Sequence, residues 1–563
     1  MGTGSVRVGA SGGGAFTRLV AGEWETVRRF AVPAWTVERA TGRRLAGDWR
    51  GACAAAGVGV AFEPDGVRDE YGADVAEALA DDLRHLAPDL LRWHIANEDA
   101  AAFALSGYRV DRPGNPRVSS SGTGGPAVPM LHLERARRGA VERMCLRFGR
   151  AGWRKWMLPR HLWDVRWAGE LLVRGGGRER APFFEADGTP RERPGAGPEA
   201  DPVARAERIS LLHERGEVAA AFAAAGIELR LAESDEVGAE RQLELLRLMP
   251  IAPHRIEAEL RRLVAEGTEG EERRFVLAHT LSRYGRPYGP LGIARLVVEV
   301  PGQGTGLRAE FVPAGRDPKD VRGLPDVFWQ RPPDLDLVRA GRLGIGELHP
   351  LVSAALFPGW DGERAAAGVA APGVARVRCR GEWHEVSIRN GHLRVHSHSE
   401  EERRRESALK ALGGQAAGCF AVRETWDGRG FLPRALREQR RELFRRVSYG
   451  DTEGVLKMLD AGHDPHTRDG NGHSLLHCLG SVRHEELLPR LLAAGVDLEA
   501  RDAMGRTPLL VAAWSAPAAT VRALLAAGAR PAALSRVLGW VRSIAEQRGD
   551  LDFLVKLVEG ADG

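Results

Sequence analysis

Alternating hydrophobic and polar positions predict pairs of β-strands in the first two thirds of the chain. One pair is expected at Met130–Glu134 and Met144–Phe148, and a second pair at Leu296–Val300 and Leu307–Val312. Each pair surrounds a polar or glycine-containing turn, which is typical of a hairpin.

The elements around these two hairpins recur in the same order. The similar segments, in chain order, are Gly47–Val58 and Gly216–Ile227, then Ala87–Pro88 and Ala252–Pro253, then Asp164–Leu171 and Asp336–Leu343. We therefore predict a multidomain α+β protein with a duplicated α+β unit, spanning 23–173 and 203–358. A linker rich in Gly, Pro and Arg at 174–202 joins the copies, and a glycine-rich flexible tail is expected at 1–22. Chance similarity between alanine-rich helices is the alternative.

A third region, 374–435, is predicted to form a small β-meander followed by a helix at 399–412. Asn390-Gly391 favours a two-residue type I′ turn, from which the strands can be counted outward. Residues 376–380 are expected to add a third strand. The hydrophobic pairs predicted on one face are Ile388 with Leu393 and Val386 with Val395.

A period of 33 residues marks the C-terminal part of the chain. Gly462, Gly495 and Gly528 are spaced 33 residues apart, and each follows a leucine-rich helical stretch. Asp469–His477 returns at the same period as Asp502–Leu510. A fixed period of this length predicts a stack of similar helical units.

This repeat resembles the ankyrin-repeat family over 436–563. Ser474 and Thr507 suit helix N-caps and Pro508 suits a first helical position, whereas Leu475 and Leu510 depart from the family's proline and histidine. The resemblance implies a C-terminal all-α solenoid of about four helical hairpins, with the outer two acting as caps. The layout of the whole chain is similar to that of uncharacterised actinobacterial ankyrin-containing proteins.

Membership of this family implies binding of a protein partner, whose identity the sequence does not give, through inner helices and loop tips. The candidate contact residues, which precede each helix turn, are Tyr449, Val482, Trp514 and Arg548. Trp514 is the best anchor, because exposed aromatic residues contribute much of the affinity at interfaces. The alternative is that Trp514 packs on the neighbouring repeat.

Composition excludes several kinds of chemistry. The 80 basic and 76 acidic residues leave a net charge of +4, which is not the charge of a typical nucleic-acid-binding chain. None of the few lysines follows a glycine, so a Walker A phosphate-binding loop is excluded. The five cysteines form no C-x-x-C motif, so neither a zinc ribbon nor a disulfide scaffold is indicated. With no signal peptide or long apolar run, we expect a cytoplasmic protein without membrane contact, cofactor or small-molecule ligand.

The segment 134–180 is locally basic and rich in tryptophan. It holds 13 Lys or Arg and five acidic residues, a net charge of +8. Positive charge follows a phosphate backbone and indoles stack on bases, so nucleic-acid binding is one alternative function. Its candidate residues are Arg150, Trp153, Arg154, Lys155, Trp156 and Arg160. The other interpretation is a core face, since Trp156, Trp163 and Trp167 have helical spacing.

Four histidines cluster near the predicted meander, at 384, 392, 396 and 398. His396 and His398 would share a strand face, as metal ligands on a strand do. Arg394 would share it too, and a cation disfavours a metal. We therefore expect a solvated strand face here and no metal site.

These observations favour a protein-interaction or scaffold protein over an enzyme, and no catalytic residue is assigned. An enzyme with an unrecognised site within 33–345, recruited by the repeats, is the runner-up. Nucleic-acid binding through 134–180 is the third alternative.

Overall fold

The structure is a computed structural model. It describes residues 18–96, 102–108, 129–138, 141–150, 156–198, 200–233, 237–266, 273–280, 282–283, 286–287, 293–302, 306–313, 321–364, 368–379, 381–389, 392–395, 398–413, 417–426, 432–531, 538–548 and 551–561. The chain divides into two compact units, one of residues 1–135 and 144–366 and the other of residues 136–143 and 367–563. The strands that include residues 136–143 are described with the first unit.

The first half of the first unit alternates helices with strands. Its helices are α1 (Arg18–Phe30), α2 (Ala34–Leu45), α3 (Trp49–Ala55), α4 (Pro64–Tyr71), α5 (Ala73–His85), α6 (Pro88–Ile95) and α7 (Glu170–Arg174). Its strands are β1 (Val58–Val60), β2 (Ala102–Gly107), β3 (Pro129–Arg138), β4 (Val141–Arg150) and β5 (Trp156–Met157), and a 3₁₀ turn at Arg160–Leu162 follows them.

The second half of this unit has a similar sequence of elements. Its helices are α8 (Pro202–Glu214), α9 (Val218–Ala224), α10 (Ala239–Leu248), α11 (Pro253–Glu266), α12 (Pro333–Arg339) and α13 (Pro350–Leu356), with 3₁₀ turns at Asp326–Phe328 and Ile345–Glu347. Its strands are β6 (Ile227–Arg230), β7 (Arg274–Thr280), β8 (Ser282–Arg283), β9 (Arg286–Pro287), β10 (Ile293–Glu299), β11 (Leu307–Phe311) and β12 (Arg322–Gly323).

Among the described residues, each half forms a five-stranded sheet with the same strand order. The first sheet has the order β1-β4-β3-β2-β5, and the second has the order β6-β11-β10-β7-β12. The outer strands are parallel to their neighbours in both sheets, β1 with β4 and β6 with β11 on one side, β5 with β2 and β12 with β7 on the other. Buried side chains such as Phe103 and Leu146, or Phe275 and Leu296, form the core beside each sheet.

Glycine ends the helix before the first strand of each sheet, as the sequence predicts. Gly57 has φ +70° and Gly226 has φ +79°, a left-handed conformation that suits glycine. The last pair of similar segments does not follow this pattern. Asp164–Leu171 lies in turns that lead into α7, whereas Asp336–Leu343 begins inside α12, so these two segments do not occupy matching elements.

Two predicted boundaries also differ from the structure. Helix α1 begins at Arg18, inside the segment predicted as a flexible tail. The predicted linker 174–202 contributes to the core, since Ala181 and Phe184 are buried and the Phe184 ring lies edge-on to Phe357 at 5.2 Å. Apolar residues within a polar segment cause this packing.

The second unit begins with a small three-stranded sheet, β13 (Val374–Cys379), β14 (Glu382–Arg389) and β15 (His392–Val395). Ile388 lies opposite Leu393 and Val386 opposite Val395, which is the predicted register. Helices α14 (Glu400–Ala411) and α15 (Gly418–Trp426) follow. Leu436, beyond the predicted end of this region at 435, is buried in the same small core, so the region packs continuously into the next helix.

Four helical hairpins follow in the described part of this unit. Their helices are α16 (Arg434–Ser448), α17 (Thr452–Asp460), a 3₁₀ helix at Leu475–Ser481, α18 (His484–Ala493), α19 (Pro508–Ser515), α20 (Ala518–Ala526), α21 (Leu538–Arg548) and α22 (Asp552–Ala561). The first helices of successive hairpins contact one another in order, α16 on the 3₁₀ helix, then α19, then α21. No described helix has the length and apolar character needed to cross a membrane.

Candidate functional site

The loop between the first and second helical hairpins and the loop between the second and third have the same internal hydrogen bonds. The Asp469 carboxylate accepts from the backbone N–H groups of Asn471 and His473 at 2.8 Å each. At the matching position one period later, Asp502 accepts from the N–H groups two and four residues ahead, again at 2.8 Å. These bonds hold each loop tip in a fixed turn.

His473 bridges the two loops. Its Nδ1 lies 3.1 Å from a carboxylate oxygen of Asp469, and its Nε2 lies 3.2 Å from a carboxylate oxygen of Asp502. The hydrogen bond with Asp469 raises the pKa of His473 above its usual value, although partial burial opposes the shift. The loops are therefore joined more strongly when this ring is protonated.

His477 is a second link between neighbouring hairpins, and it acts as a neutral ring. Its Nδ1 accepts from the Ser474 backbone N–H at 3.1 Å, and its Nε2 donates to the Arg506 carbonyl at 3.0 Å. Burial lowers the pKa of His477 to about 4. Thr507 begins α19 as predicted, because its hydroxyl accepts from the Leu510 N–H at 3.4 Å.

The four candidate contact residues do not occupy one equivalent position. Trp514 is displaced by one residue from the 33-residue period that relates Tyr449 and Val482. Trp514 is 60% exposed near the end of α19, whereas Val482 packs against the core of the repeats. Tyr449 is half-buried, and the side chain of Arg548 lies outside the described residues.

The sequence analysis did not identify a second exposed apolar side chain in the repeats. Met504, at the tip of the second loop, is 76% exposed. The loop motif that contains it was visible in the sequence, but a single methionine in a turn carries no periodic signal. The name Trp–Met surface is used hereafter for these two separately exposed side chains of the repeats, Trp514 and Met504.

Comparison with known proteins agrees with this geometry. Residues 443–534 match the family model for ankyrin repeats, in three copies. Residues 443–534 are ankyrin repeats. Over 65 residues the chain is 44% identical to an ankyrin repeat-containing protein of Schizosaccharomyces pombe. That match covers 12% of this chain and 31% of the length of the relative. Helices α21 and α22 lie beyond the matched ankyrin repeats.

Only three of the six residues proposed for nucleic-acid binding, Arg150, Trp156 and Arg160, are among the described residues. Arg150 ends β4, and Trp153, Arg154 and Lys155 lie outside the described residues. The Trp156 indole donates to the Gly323 carbonyl at 3.0 Å. The core interpretation holds for Trp163, which is fully buried, and Trp156 packs against a core cluster. The two residues do not share a helix, since Trp156 lies in a strand and Trp163 follows a 3₁₀ turn.

Several arginines of this segment, among them Arg160 and Arg166, are paired with carboxylates. Arg160 lies 2.8 Å from Asp82 and 3.0 Å from Asp164, and Arg166 lies 2.7 Å from Asp81 and from Asp164. Asp164 lies within the segment, whereas Asp82 lies 78 residues before Arg160 and Asp81 lies 85 residues before Arg166, where no sequence pattern connects them to it. The net charge of the segment therefore overstates the positive charge that it could present to a phosphate backbone.

The predicted pairing of His396 and His398 on a strand face is replaced by a different arrangement. Strand β15 ends at Val395, His396 lies outside the described residues, and His398 is buried just before α14. His398 Nε2 lies 2.8 Å from His384 Nδ1. Two cysteines, Cys379 and Cys419, join these histidines.

A cleft of about 60 Å³ in the first unit gathers buried titratable side chains. Its charged and histidine lining includes Arg28, His94, His161, Arg174, Arg255 and Asp334. Burial, together with nearby arginines, lowers the pKa of His94 and of His161 well below the usual value, so both rings are neutral.

Proposed function

We propose that the protein binds a protein partner through its ankyrin repeats and acts as a scaffold. The observation that carries this proposal is the exposure of two large apolar side chains, Trp514 and Met504, on the repeats at 443–534. Large side chains that stay exposed on a stable framework mark contact sites, because burying them on a partner gains free energy.

The framework under the Trp–Met surface supports this function. Met504 is held by the turn that Asp502 closes, and Trp514 is on a helix capped by Thr507. Binding residues on a fixed framework lose little conformational entropy when a partner binds.

A quantitative affinity purification of the intact chain tests the proposal. We expect partners to be enriched on the unchanged chain and to be depleted with Trp514→Ala and with Met504→Ser. An aromatic anchor costs about 2 kcal/mol or more when truncated, which is about a thirty-fold rise in Kd.

Trp383→Ala is the matched control, because Trp383 is also a tryptophan, 66% exposed, on β14 and outside the repeats. It should leave the enriched partners unchanged. Equal enrichment with Trp514→Ala, Met504→Ser and the unchanged chain would contradict binding at this surface.

The two alternative functions, nucleic-acid binding and an enzymatic activity, are tested by separate measurements. For nucleic acid, the internal pairing of Arg160 and Arg166 leads us to expect no salt-sensitive mobility shift with oligonucleotides at low salt. For an enzyme, the decisive result would be a ligand whose binding is lost when Arg174, which lines the cleft, is replaced by Met.

We also propose the finer organisation predicted above. The shared strand order supports two copies of one unit, and the four helical hairpins support a solenoid whose outer hairpins act as caps. A cytoplasmic location is supported by five cysteines without disulfides, and fractionation of cells that express the tagged chain would test it.

A further inference from the structure

Four side chains that commonly bind metals converge in the small region before the repeats. Cys379 ends β13, His384 is on β14, His398 precedes α14, and Cys419 is in the first turn of α15. One donor atom from each residue lies within 4.8 Å of the donor atoms of the other three. Three of the four residues are buried and His384 is half-buried, so the cluster is largely closed to solvent.

We propose that Cys379, His384, His398 and Cys419 bind one zinc ion in a structural Cys₂His₂ site. Two thiolates and two imidazoles in a tetrahedron are a ligand set that Zn²⁺ prefers, and four protein ligands leave no open position for catalysis. On binding, each thiol loses its proton to solvent and each imidazole uses a nitrogen lone pair.

The distances in the cluster are close to those of such a site. Zinc bonds of about 2.0–2.3 Å place neighbouring ligand atoms about 3.3–3.8 Å apart in a tetrahedron. His384 Nδ1 and His398 Nε2 are 2.8 Å apart, so the two rings already point at one another and only need to separate slightly.

The outward nitrogens of both histidines face carboxylates, as in many zinc sites. His398 Nδ1 lies 3.5 Å from a carboxylate oxygen of Glu402, and His384 Nε2 lies 3.7 Å from one of Glu382. The same oxygen of Glu402 accepts from the Ser399 N–H at 2.9 Å, which fixes the carboxylate at the start of α14. A carboxylate behind a ligating imidazole orients the ring and increases its basicity.

The backbone before Cys419 approaches the other cysteine very closely. Gly418 has φ +58°, and a Cβ built there would lie 2.6 Å from the Cys379 sulfur. Only glycine allows this approach and this conformation together. The close packing of Gly418 on Cys379 therefore keeps the next residue, Cys419, within the cluster.

A metal here would stabilise a region whose own core is small. The core is made of side chains such as Val377, Val386 and Val422, and regions of this size commonly need a metal or a disulfide. Helix α15 carries Cys419 at one end and Trp426 at the other. The Trp426 indole donates to Asp464 of the first repeat at 2.7 Å, so the zinc site would also stiffen the start of the repeats.

A second cluster, His392, Asp464 and His466, is the less suitable site. Its Asp464 carboxylate already accepts from the Trp426 indole and from the His466 backbone N–H at 2.8 Å. The cluster also offers three ligands and lies partly in solvent.

Zinc analysis of the full chain, purified under reducing conditions without chelators and after reconstitution with zinc chloride, tests the proposal. We expect about one zinc per chain, and the visible absorption of tetrahedral cobalt–thiolate coordination when Co²⁺ replaces zinc. Cys419→Ser and His384→Gln should each lower the zinc content at least several-fold. Cys478→Ser and His392→Gln, a cysteine and a histidine outside the cluster, should keep it.

A second measurement needs no variant and so does not depend on whether the variants fold. Adding a chelator to the zinc-loaded chain should accelerate trypsin cleavage within 374–435 several-fold, and added zinc should reverse the effect. The proposal is overturned by a zinc content near zero after reconstitution, by a Cys379–Cys419 disulfide in its place, or by loss of zinc with His392→Gln. Cleavage that is insensitive to the chelator would equally contradict it.

Discussion

Trp163 and Trp329 make the same hydrogen bond in the two halves of the first unit. Each indole N–H donates to the backbone carbonyl five residues earlier, to Leu158 at 3.3 Å and to Leu324 at 3.1 Å. The backbone carbonyl of each tryptophan also accepts from the N–H of the residue before a helix-opening proline. The donor to Trp163 is Ala87 at 2.8 Å, and the donor to Trp329 is Ala252 at 3.0 Å. Both indoles are fully buried.

Because the two tryptophans make the same contacts, we expect the same substitution at either one to lower the free energy of unfolding by a similar amount. Trp163→Phe and Trp329→Phe each leave a buried carbonyl without its donor and also create a small cavity. We expect each variant to lower the free energy of unfolding by about 2–4 kcal/mol. Urea unfolding followed by circular dichroism would measure it. Trp167→Phe, at a 45% exposed tryptophan, should stay within about 0.5 kcal/mol of the unchanged chain.

A buried ion pair holds α1 against α12. Arg28 donates to both carboxylate oxygens of Asp334, at 2.7 and 3.0 Å, and both side chains are almost fully buried. Asp334→Asn leaves the guanidinium without a counter-charge, so we expect a loss of about 3–5 kcal/mol. Thermal unfolding by calorimetry would measure it.

The double variant Arg28→Met with Asp334→Leu distinguishes the contribution of the charges to stability from that of side-chain packing. It removes both charges, so much of the loss should be recovered. Arg43→Met breaks an exposed pair with Asp48 and should cost at most about 1 kcal/mol. A double variant as unstable as Asp334→Asn would show that the unpaired charge does not cause the loss, which would then come from packing and from the Trp93 indole, whose acceptor at 3.2 Å is Asp334.

Local patterns predicted local structure well. The register of Ile388 with Leu393 follows from Asn390-Gly391, because a two-residue turn fixes which residues face each other. Trp156, Trp163 and Trp167 do not lie on one helix, because spacings of seven and four suit a helix but also arise by chance in a strand followed by turns.

Contacts between distant segments could not be predicted. Cys379 and Cys419 meet because α15 packs on the small sheet, and no periodicity in the sequence relates two residues so far apart. Only the cysteine spacing was available, and it lacks the short C-x-x-C pattern that makes zinc sites recognisable. Asp82, which pairs with Arg160, was hidden for the same reason, whereas the second partner, Asp164, is only four residues from Arg160.

His473 should make the repeats more stable at acid pH. Its pKa is raised in the folded chain by Asp469 and Asp502, so its contribution is complete below the unfolded value of about 6.5 and disappears as the pH rises through the folded pKa. His473→Gln should therefore destabilise the protein more at pH 5.5 than at pH 8.5. The ring is partly exposed, so the effect should stay below about 1 kcal/mol. NMR titration of the ring in the unchanged chain would give the pKa directly, and a value below 6.5 would contradict this account.

His213 should have the opposite effect in the first unit. Burial, and then the nearby Arg331, lower its pKa to about 3, and its Nε2 donates to the Leu246 carbonyl at 3.1 Å. Because the unfolded chain binds this proton and the folded chain does not, stability falls as the pH drops below about 6.5, by at most about 1.4 kcal/mol per pH unit. His213→Gln keeps an N–H donor but cannot titrate. Its stability should therefore fall less steeply than that of the unchanged chain between pH 6.5 and pH 4, as measured by urea unfolding at each pH.

Ser210→Ala removes a neighbouring buried hydrogen bond without a titrating group and should shift stability equally at every pH. A His213→Gln profile parallel to that of the unchanged chain would mean that the ring is already protonated in the folded state.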